Sequence, residues 1–257
     1  MENKGIELRN AMEKYLNEFK MLVAGEHGLV IQFGTVIAPK INVLVQQMSR
    51  LLHRKEIKGI IEVVPTYRSV TVYFDPLAIT RQELSQCIKK LLSEIRQQDM
   101  ENLSPKIIHV PVCYGGVLGP DLEVVARYAR LSGEEVIAIH TAKPYLVYML
   151  GFIPGFPYLG GLSSQIAVPR QDKARARIPA GSVGIGGNQT GFYPIESPGE
   201  WWLIGRTPIK AFNPSSANPF LFSQGDYLHF VNISIDAYFR IRREVEIGTY
   251  RAQVSYM

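Results

Sequence analysis

The strongest constraint on the fold of this chain is a change of sequence pattern near Pro111. Before it, apolar runs of strand length alternate with runs whose apolar residues recur at helical spacing. After it, most of the 22 glycines and 16 prolines crowd into residues 115–219, where short apolar runs are separated by turns. A chain of 257 residues is long enough for two domains with separate cores. The sequence therefore predicts two domains of different architecture.

The first half is predicted to be a ferredoxin-like α+β domain over residues 21–112. Its predicted elements are a strand at 29–33, a helix after Pro39, a hairpin of strands at 59–65 and 70–75, a helix that opens with a capping box of Thr80 and Glu83, and a last strand at 107–112. This is the β-α-β-β-α-β order of a split βαβ unit. Residues 1–20 have helical spacing and are predicted to form an N-terminal extension.

The second half, residues 113–257, is predicted to be mainly β. A helix at 121–130 and a second helix, opened by a capping box of Ser132 and Glu135, precede the strands. Six later runs have strand length: 145–150, 166–169, 182–185, 191–194, 201–204 and 227–231. Short strands with Gly/Pro turns indicate a compact barrel or sandwich, and a closing helix is predicted over 235–245.

Composition restricts the class of protein. Lysine and arginine number 28 against 23 acidic residues, and this diffuse net charge of +5 does not predict nucleic-acid binding. The two cysteines, Cys87 and Cys113, do not form a disulfide framework. Neither a secretory signal nor an apolar run long enough to span a membrane is visible. We therefore expect a cytoplasmic protein that binds neither nucleic acid nor membrane.

Three kinds of catalytic site find no support in the sequence. The five histidines lie far apart, so no metal site is predicted, and no GxxxxGK[ST] phosphate loop occurs. Residues 180–184 imitate the nucleophile elbow of hydrolases around Ser182, with His140 or His229 as conceivable partners. The elbow needs a strand that runs directly into a helix, and the glycines after Ser182 disfavour a helix. We expect instead a strand whose serine hydroxyl binds backbone or ligand.

Two stretches are candidates for ligand binding. Residues 151–161, GFIPGFPYLGG, combine prolines and glycines into a stiff loop that holds Phe152, Phe156 and Tyr158. Such a loop either walls a pocket or plugs the barrel with its aromatic rings. The loop at 188–190 contributes Gln189, whose amide can pair with a carboxylate or an amide.

A basic run is the third candidate. It consists of Arg170, Lys173, Arg175 and Arg177, and the last three would share one face of an extended backbone. That face suits carboxylate or phosphate, although solvated basic residues also protect edge strands from aggregation. Trp201 and Trp202 are predicted to lie on opposite faces of a strand, one in the core and the other at a surface or in a groove.

Three segments carry a family resemblance: HTAKPYLVYML, GFIPGFPYLGGL and PRQDKARARIPAGSVGIGGNQTGFYPIESPGEWWLIGRTP. They closely resemble the KipI and allophanate-hydrolase subunit 1 family, and the likeness extends over about residues 25–246. The resemblance implies a ferredoxin-type first domain and a cyclophilin-like β-barrel second domain. The sequence departs from the family pattern at Glu200, where a second glycine is usual, and at Ala174, where a proline usually precedes Arg175.

The resemblance implies a subunit of an ATP-dependent 5-oxoprolinase, a hydrolase that opens the lactam of 5-oxoproline to glutamate. The implied partners are a homologous protein of the allophanate hydrolase subunit 2 type, which is the C subunit of 5-oxoprolinase, and the lactam-utilisation A subunit. ATP is the implied co-substrate. The resemblance gives no general base. The residues of this chain expected to bind substrate are Phe156, Tyr158, Arg170, Arg175, Ser182, Gln189 and Thr190.

The same resemblance leaves two other functions open. A KipI-type regulator would bind the dimerisation region of a sporulation histidine kinase and block its autophosphorylation. A prolyl isomerase is suggested only by the cyclophilin-like shape, and a fold does not by itself carry a function.

Overall fold

The structure is a computed structural model that describes residues 14–95 and 105–256. The chain divides into two compact units, one up to residue 104 and the other from residue 105. Each unit has its own hydrophobic core. In residues 14–95 and 105–256, every helix is too short or too polar to cross a bilayer.

In residues 14–95, the first unit is a four-stranded antiparallel sheet with two long helices, and a short helical segment at 14–17 precedes the sheet. Its elements are β1 (Lys20–Ala24), β2 (Gly28–Gln32), α1 (Pro39–Lys55), β3 (Ile60–Pro65), β4 (Ser69–Phe74) and α2 (Arg81–Glu94). The strand order is β1-β2-β4-β3. The predicted helix after Pro39, the β3–β4 hairpin and the Thr80–Glu83 capping box are confirmed. One apolar face of each helix packs into the core, as their helical spacing predicts.

Two features of the first unit differ from the prediction. The strand expected at 107–112 to complete this sheet belongs to the second unit, where it pairs in parallel with residues 227–232. The edge beside β2 is formed instead by β1, which the sequence pattern did not predict. Strand β1 lies almost wholly exposed at an edge, so it lacks the alternation of buried and exposed residues that identifies a strand.

The predicted N-terminal extension falls largely outside the described residues, since residues 1–13 are not among them. Tyr15, Leu16 and Phe19 pack against the core of the first unit.

Within residues 105–256, the second unit is built around an eight-stranded sheet and three α-helices. Its elements are β5 (Lys106–Tyr114), α3 (Leu122–Ala129), α4 (Gly133–Thr141), β6 (Tyr145–Leu150), β7 (Pro157–Gly160), β8 (Arg175–Ile178), β9 (Ser182–Gly186), β10 (Gln189–Phe192), β11 (Ser197–Gly199), β12 (Trp202–Arg206), β13 (Tyr227–Asn232), α5 (Ile235–Glu246) and β14 (Val254–Tyr256). The large sheet has the order β10-β9-β12-β5-β13-β6-β7, and β14 also pairs with β5. Strands β8 and β11 form a separate two-stranded sheet.

The large sheet is a nearly closed barrel. Strands β7 and β10 stand at opposite ends of the strand order, yet a Cβ added to Gly191 of β10 would lie 2.9 Å from the Pro157 oxygen of β7. The interior is filled by aliphatic and aromatic side chains from the strands and helices, among them Val110, Val147, Val183, Phe192, Leu228 and Phe230. Of the two predicted alternatives, the barrel is the observed one. The helices at 121–130 and 235–245 and the Ser132–Glu135 capping box are confirmed.

Candidate functional site

A cavity of about 310 Å³ opens on the outside of the barrel, at the lower end of the volumes typical of small-molecule sites. We call it the aromatic cavity. Its lining residues are Phe152, Phe156, Tyr158, Arg170, Ala174, Tyr193, Pro198, Gly199, Glu200 and Trp201. They come from β7 and the loop before it, the segment before β8, and the β10–β12 region.

The wall of the cavity is a cluster of aromatic rings centred on Phe156. The Phe156 ring centroid lies 5.3–5.5 Å from those of Phe152, Tyr158, Tyr193 and Trp201, and each pair is edge-to-face. This is the arrangement that the ring quadrupoles favour. Phe156 is buried, so the cluster fixes the rings that face the cavity. Burial raises the pKa of Tyr193 to about 12, which keeps its hydroxyl protonated at neutral pH.

The proline–glycine loop before β7 gives the wall its shape. The amide of Ile153 donates to the Gly151 oxygen at 2.6 Å, and that of Phe156 donates to the Ile153 oxygen at 3.0 Å. Phe152 adopts a left-handed backbone with φ of 61°, and its side chain is 59% exposed. The loop therefore walls the cavity and leaves the interior of the barrel to a different set of side chains.

The glycine-rich strand β9 makes room for the Trp201 indole. A methyl group at Gly186 would lie 2.3 Å from Trp201 Cδ1, and one at Gly184 would lie 3.2 Å from Trp201 Cβ. The indole therefore packs directly on the backbone of β9. The glycines of this segment serve close packing, and the strand turns back into β10 without the helix that a nucleophile elbow requires.

The charged groups of the cavity are Arg170 and Glu200. Arg170 Nη1 lies 3.8 Å from Glu200 Oε2, and the two side chains are 51% and 47% exposed. Arg170 Nη2 also donates to Gln189 Oε1 at 3.0 Å. The Gln189 amide and the Glu200 carboxylate thus both interact with the Arg170 guanidinium, and most of the other lining residues are aromatic.

Three hydrogen bonds fix the backbone that carries this pair. Trp202 Nε1 donates to the Pro169 oxygen at 2.7 Å. The Gln171 amide N–H donates to the Glu200 oxygen at 2.9 Å, and Gln171 Nε2 donates to the Trp201 oxygen at 3.1 Å. Arg170 and Glu200 therefore lie on two segments that hydrogen bonds join to each other.

The structure brings together four of the seven residues expected to bind substrate. Phe156, Tyr158 and Arg170 line the cavity, and Gln189 contacts Arg170 at its edge. Arg175, Ser182 and Thr190 do not line it. Arg175 and Thr190 bind other groups of the folded chain, and Ser182 is buried away from the cavity lining. Sequence spacing does not reveal these positions.

Arg175 is engaged by a buried carboxylate. Its Nη1 and Nη2 donate to Asp121 Oδ2 and Oδ1 at 2.5 and 2.8 Å, and this hydrogen-bonded pairing raises the Arg175 pKa. Asp121 Oδ2 also accepts from the Leu203 amide at 2.7 Å. Arg177 pairs with Glu196 on the surface, so the basic run does not converge on one ligand.

Thr190 belongs to a polar network inside the barrel. Its Oγ1 donates to the Gly184 oxygen at 3.0 Å and lies 2.8 Å from His140 Nε2, while Tyr114 Oη lies 2.7 Å from His140 Nδ1. These contacts are all satisfied if His140 is neutral with its proton on Nε2. Burial lowers the pKa of His140 to about 3, consistent with that form.

Ser182 is fully buried, and its hydroxyl has no hydrogen-bond partner among the residues that the structure describes. Of the two expected partners of this hydroxyl, backbone is not the one observed, and ligand binding by Ser182 stays a prediction. In residues 14–95 and 105–256, no group of three metal-binding side chains is close enough to hold an ion.

Sequence reasoning missed several lining residues. The sequence did not single out Tyr193 as a site residue, because an aromatic residue next to a strand usually belongs to the hydrophobic core. Trp201 lies in the aromatic cluster, and Trp202 packs against the barrel core, on the opposite side as predicted. Glu200 could have been found from the sequence, because it stands where the family usually has a glycine.

Fold and cavity together describe a two-unit protein with an external cavity on a barrel. The chain matches the family described as "Carboxyltransferase domain, subdomain C and D" over residues 19–222, and it belongs to that family. It is 43% identical to the B subunit of 5-oxoprolinase from Bacillus subtilis (strain 168) over 229 residues, which cover 86% of this chain and 95% of the relative. The resemblance to the KipI and allophanate-hydrolase subunit 1 family is confirmed.

Two further relatives support this placement. Identity to the B subunit of 5-oxoprolinase from Escherichia coli O157:H7 is 40% over 179 residues, covering 68% of this chain and 79% of the relative. The crystal structure of TTHA0988 in space group P212121 superposes with a TM-score of 0.72 at 33% identity, over 80% of this chain and 40% of that one. The chain thus spans about two fifths of the TTHA0988 chain.

Proposed function

We propose that this chain is a non-autonomous subunit of a cytoplasmic ATP-dependent 5-oxoprolinase, which converts 5-oxoproline, ATP and water to glutamate, ADP and phosphate. The observation that carries the proposal is the 43% identity to a protein named as the B subunit of 5-oxoprolinase, over nearly the whole length of that protein. The proposed partners are a homologous second subunit together with a lactam-utilisation subunit. The aromatic cavity is the proposed contribution of this chain to the substrate site.

The chemistry explains why such a reaction needs ATP. A five-membered lactam is a resonance-stabilised amide and a poor electrophile. Transfer of the γ-phosphoryl group to the lactam oxygen releases ADP and gives an activated imidate. Water then adds to that carbon, and the C–N bond breaks to give the acyl phosphate of glutamate. A second water hydrolyses this acyl phosphate, so that phosphate leaves with the former lactam oxygen and glutamate remains.

The aromatic cavity fits the substrate half of this scheme. 5-Oxoproline is a small ring with one carboxylate, and the cavity offers one guanidinium, Arg170, beside a wall of aromatic rings. Arginine can bind a carboxylate through two parallel hydrogen bonds, and the rings can cover the ring methylene groups. Tyr158 and Tyr193 add two hydroxyl-bearing rings to the wall. Nucleotide binding is assigned to the assembled complex.

Substitution of Arg170 by glutamine is expected to lower kcat/KM for 5-oxoproline by about 10- to 100-fold, mainly through a higher KM, because a charge-assisted hydrogen bond to the carboxylate is lost. The measurement is ATP-dependent glutamate formation by a complex reconstituted from this chain and its two proposed partners. Arg177→Gln is the matched control, since Arg177 pairs with Glu196 outside the cavity, and it should change kcat/KM less than twofold.

Omission of this chain tests the proposal itself. The complex without it should form no glutamate from 5-oxoproline. Undiminished turnover by the two remaining proteins would reject the proposed function, whatever the Arg170 variant does.

A further inference from the structure

We propose that Arg170 and Glu200 act as one recognition unit for an α-amido or α-amino carboxylate, in which Arg170 binds the carboxylate and Glu200 accepts the N–H on the same carbon. This inference rests on the proposed function and deepens it by naming the two groups of the substrate that are recognised. It assigns Glu200 a specificity role in the aromatic cavity.

The geometry of the pair supports the assignment. A separation of 3.8 Å between Arg170 Nη1 and Glu200 Oε2 is longer than a hydrogen bond, so the two groups attract each other without consuming each other's hydrogen-bonding atoms. Both side chains line the cavity and remain about half exposed, so a ligand can reach them. The hydrogen bonds of Gln171 and Trp202 hold the two backbone segments in place.

The pair matches the chemistry of an amino-acid backbone. An α-amido or α-amino carboxylate carries a carboxylate and an N–H on one carbon, so it needs a cationic donor and an acceptor close together. A guanidinium supplies only donors and a carboxylate supplies only acceptors, and this fixes which group of the ligand each one takes. The rest of a five-membered ring would then face the aromatic wall around Phe156.

The charge of Glu200 also affects selectivity. Arg170 alone would attract any small anion, whereas the neighbouring carboxylate repels anions that lack an N–H to offer. The lactam N–H of 5-oxoproline is neutral, and the α-ammonium of glutamate is charged. Glu200 should therefore contribute more to the binding of glutamate than to that of 5-oxoproline.

The test compares 5-oxoproline with its lactone analogue, which differs from it only at the N–H, and with glutamate, which carries an α-ammonium and a second carboxylate. Calorimetry on the reconstituted complex without ATP measures the Kd of 5-oxoproline, of glutamate, and of 5-oxotetrahydrofuran-2-carboxylate, the lactone in which ring oxygen replaces N–H. Glu200→Gln should raise the Kd of 5-oxoproline about fivefold and that of glutamate about twentyfold. The Kd of the lactone should stay constant or fall, because a repulsive charge is removed.

Two further variants complete the design. Arg170→Gln should weaken all three ligands by a similar factor, because each has the same α-carboxylate. Glu196→Gln, a carboxylate of the exposed Arg177 pair, should change each Kd less than twofold.

The inference is tested by comparing, between ligands, the factor by which Glu200→Gln changes each Kd. Equal shifts of lactam and lactone in Glu200→Gln would overturn it, as would a complex that binds none of the three ligands. Turnover of 5-oxoproline by the wild-type complex would still stand in the first case, so failure of this inference is distinguishable from failure of the proposed function.

Discussion

Substitution of Asp121 by alanine is expected to lower the free energy of unfolding of the second unit by about 3–5 kcal/mol. The Asp121 side chain is only 8% exposed and binds both Nη atoms of Arg175 as well as the Leu203 amide. Its removal leaves a guanidinium and a backbone N–H without their acceptor in a largely buried place. The cost of an unpaired group exceeds the net value of the pair itself.

The measurement is urea unfolding followed by tryptophan fluorescence. The two tryptophans of the chain, Trp201 and Trp202, both lie in the second unit, so the signal reports that unit. Glu196→Ala is the matched control, because its pair with Arg177 is exposed and should contribute less than about 1 kcal/mol. If Asp121→Ala lowers the free energy of unfolding by less than about 1 kcal/mol, the contacts of Asp121 with Arg175 in β8 and Leu203 in β12 do not stabilise the unit as proposed.

The buried His140 is expected to make the second unit lose stability as the pH falls below about 6.5. The folded-state pKa is about 3 against an ordinary value of 6.5, and its cause is burial. Between these values the unfolded chain binds a proton on this histidine that the folded chain does not. The free energy of unfolding should therefore fall as the pH falls, by about 2 kcal/mol between pH 6.5 and 4.5 from this group.

His140→Gln isolates this contribution, since glutamine does not titrate. The variant should be less stable at pH 7.5, because its hydrogen bonds to Tyr114 and Thr190 change, but its stability should depend less on pH than that of the wild type. His27→Gln, at an exposed position in the first unit, should keep the wild-type slope. Parallel slopes for His140→Gln and wild type between pH 6.5 and 4.5 would contradict the assignment.

Local signals predicted most of the secondary structure. The capping boxes at Thr80 and Ser132 mark the starts of α2 and α4, because a side-chain oxygen and a carboxylate satisfy amides that only a helix start leaves open. The helical spacing after Pro39 predicts α1 and its buried face for the same local reason.

Pairing between distant strands was not predictable in the same way. The apolar run at 107–112 is compatible with either sheet, and its partner β13 lies more than a hundred residues further along the chain. The edge strands β1 and β14 are short and mostly exposed, so they carry no burial pattern. The local sequences of β1 and β14 therefore do not predict which strand each one pairs with.

In the aromatic cavity, too, some features were predictable from local sequence and others were not. The stiff loop before β7 and the basic residue Arg170 were visible in the sequence, because proline, glycine and charge have local effects. The approach of Glu200 to Arg170, the packing of Trp201 on Gly186 and the capture of Arg175 by Asp121 were decided only by the tertiary structure.

By itself, the sequence determined the two-part architecture, the helices with their caps, and the chemical types available for binding. Only the folded chain decided which of those groups meet. The physical reason is range: dihedral preferences and capping hydrogen bonds act within a few residues, whereas an ion pair or a ring contact requires that two distant segments be brought together by the core.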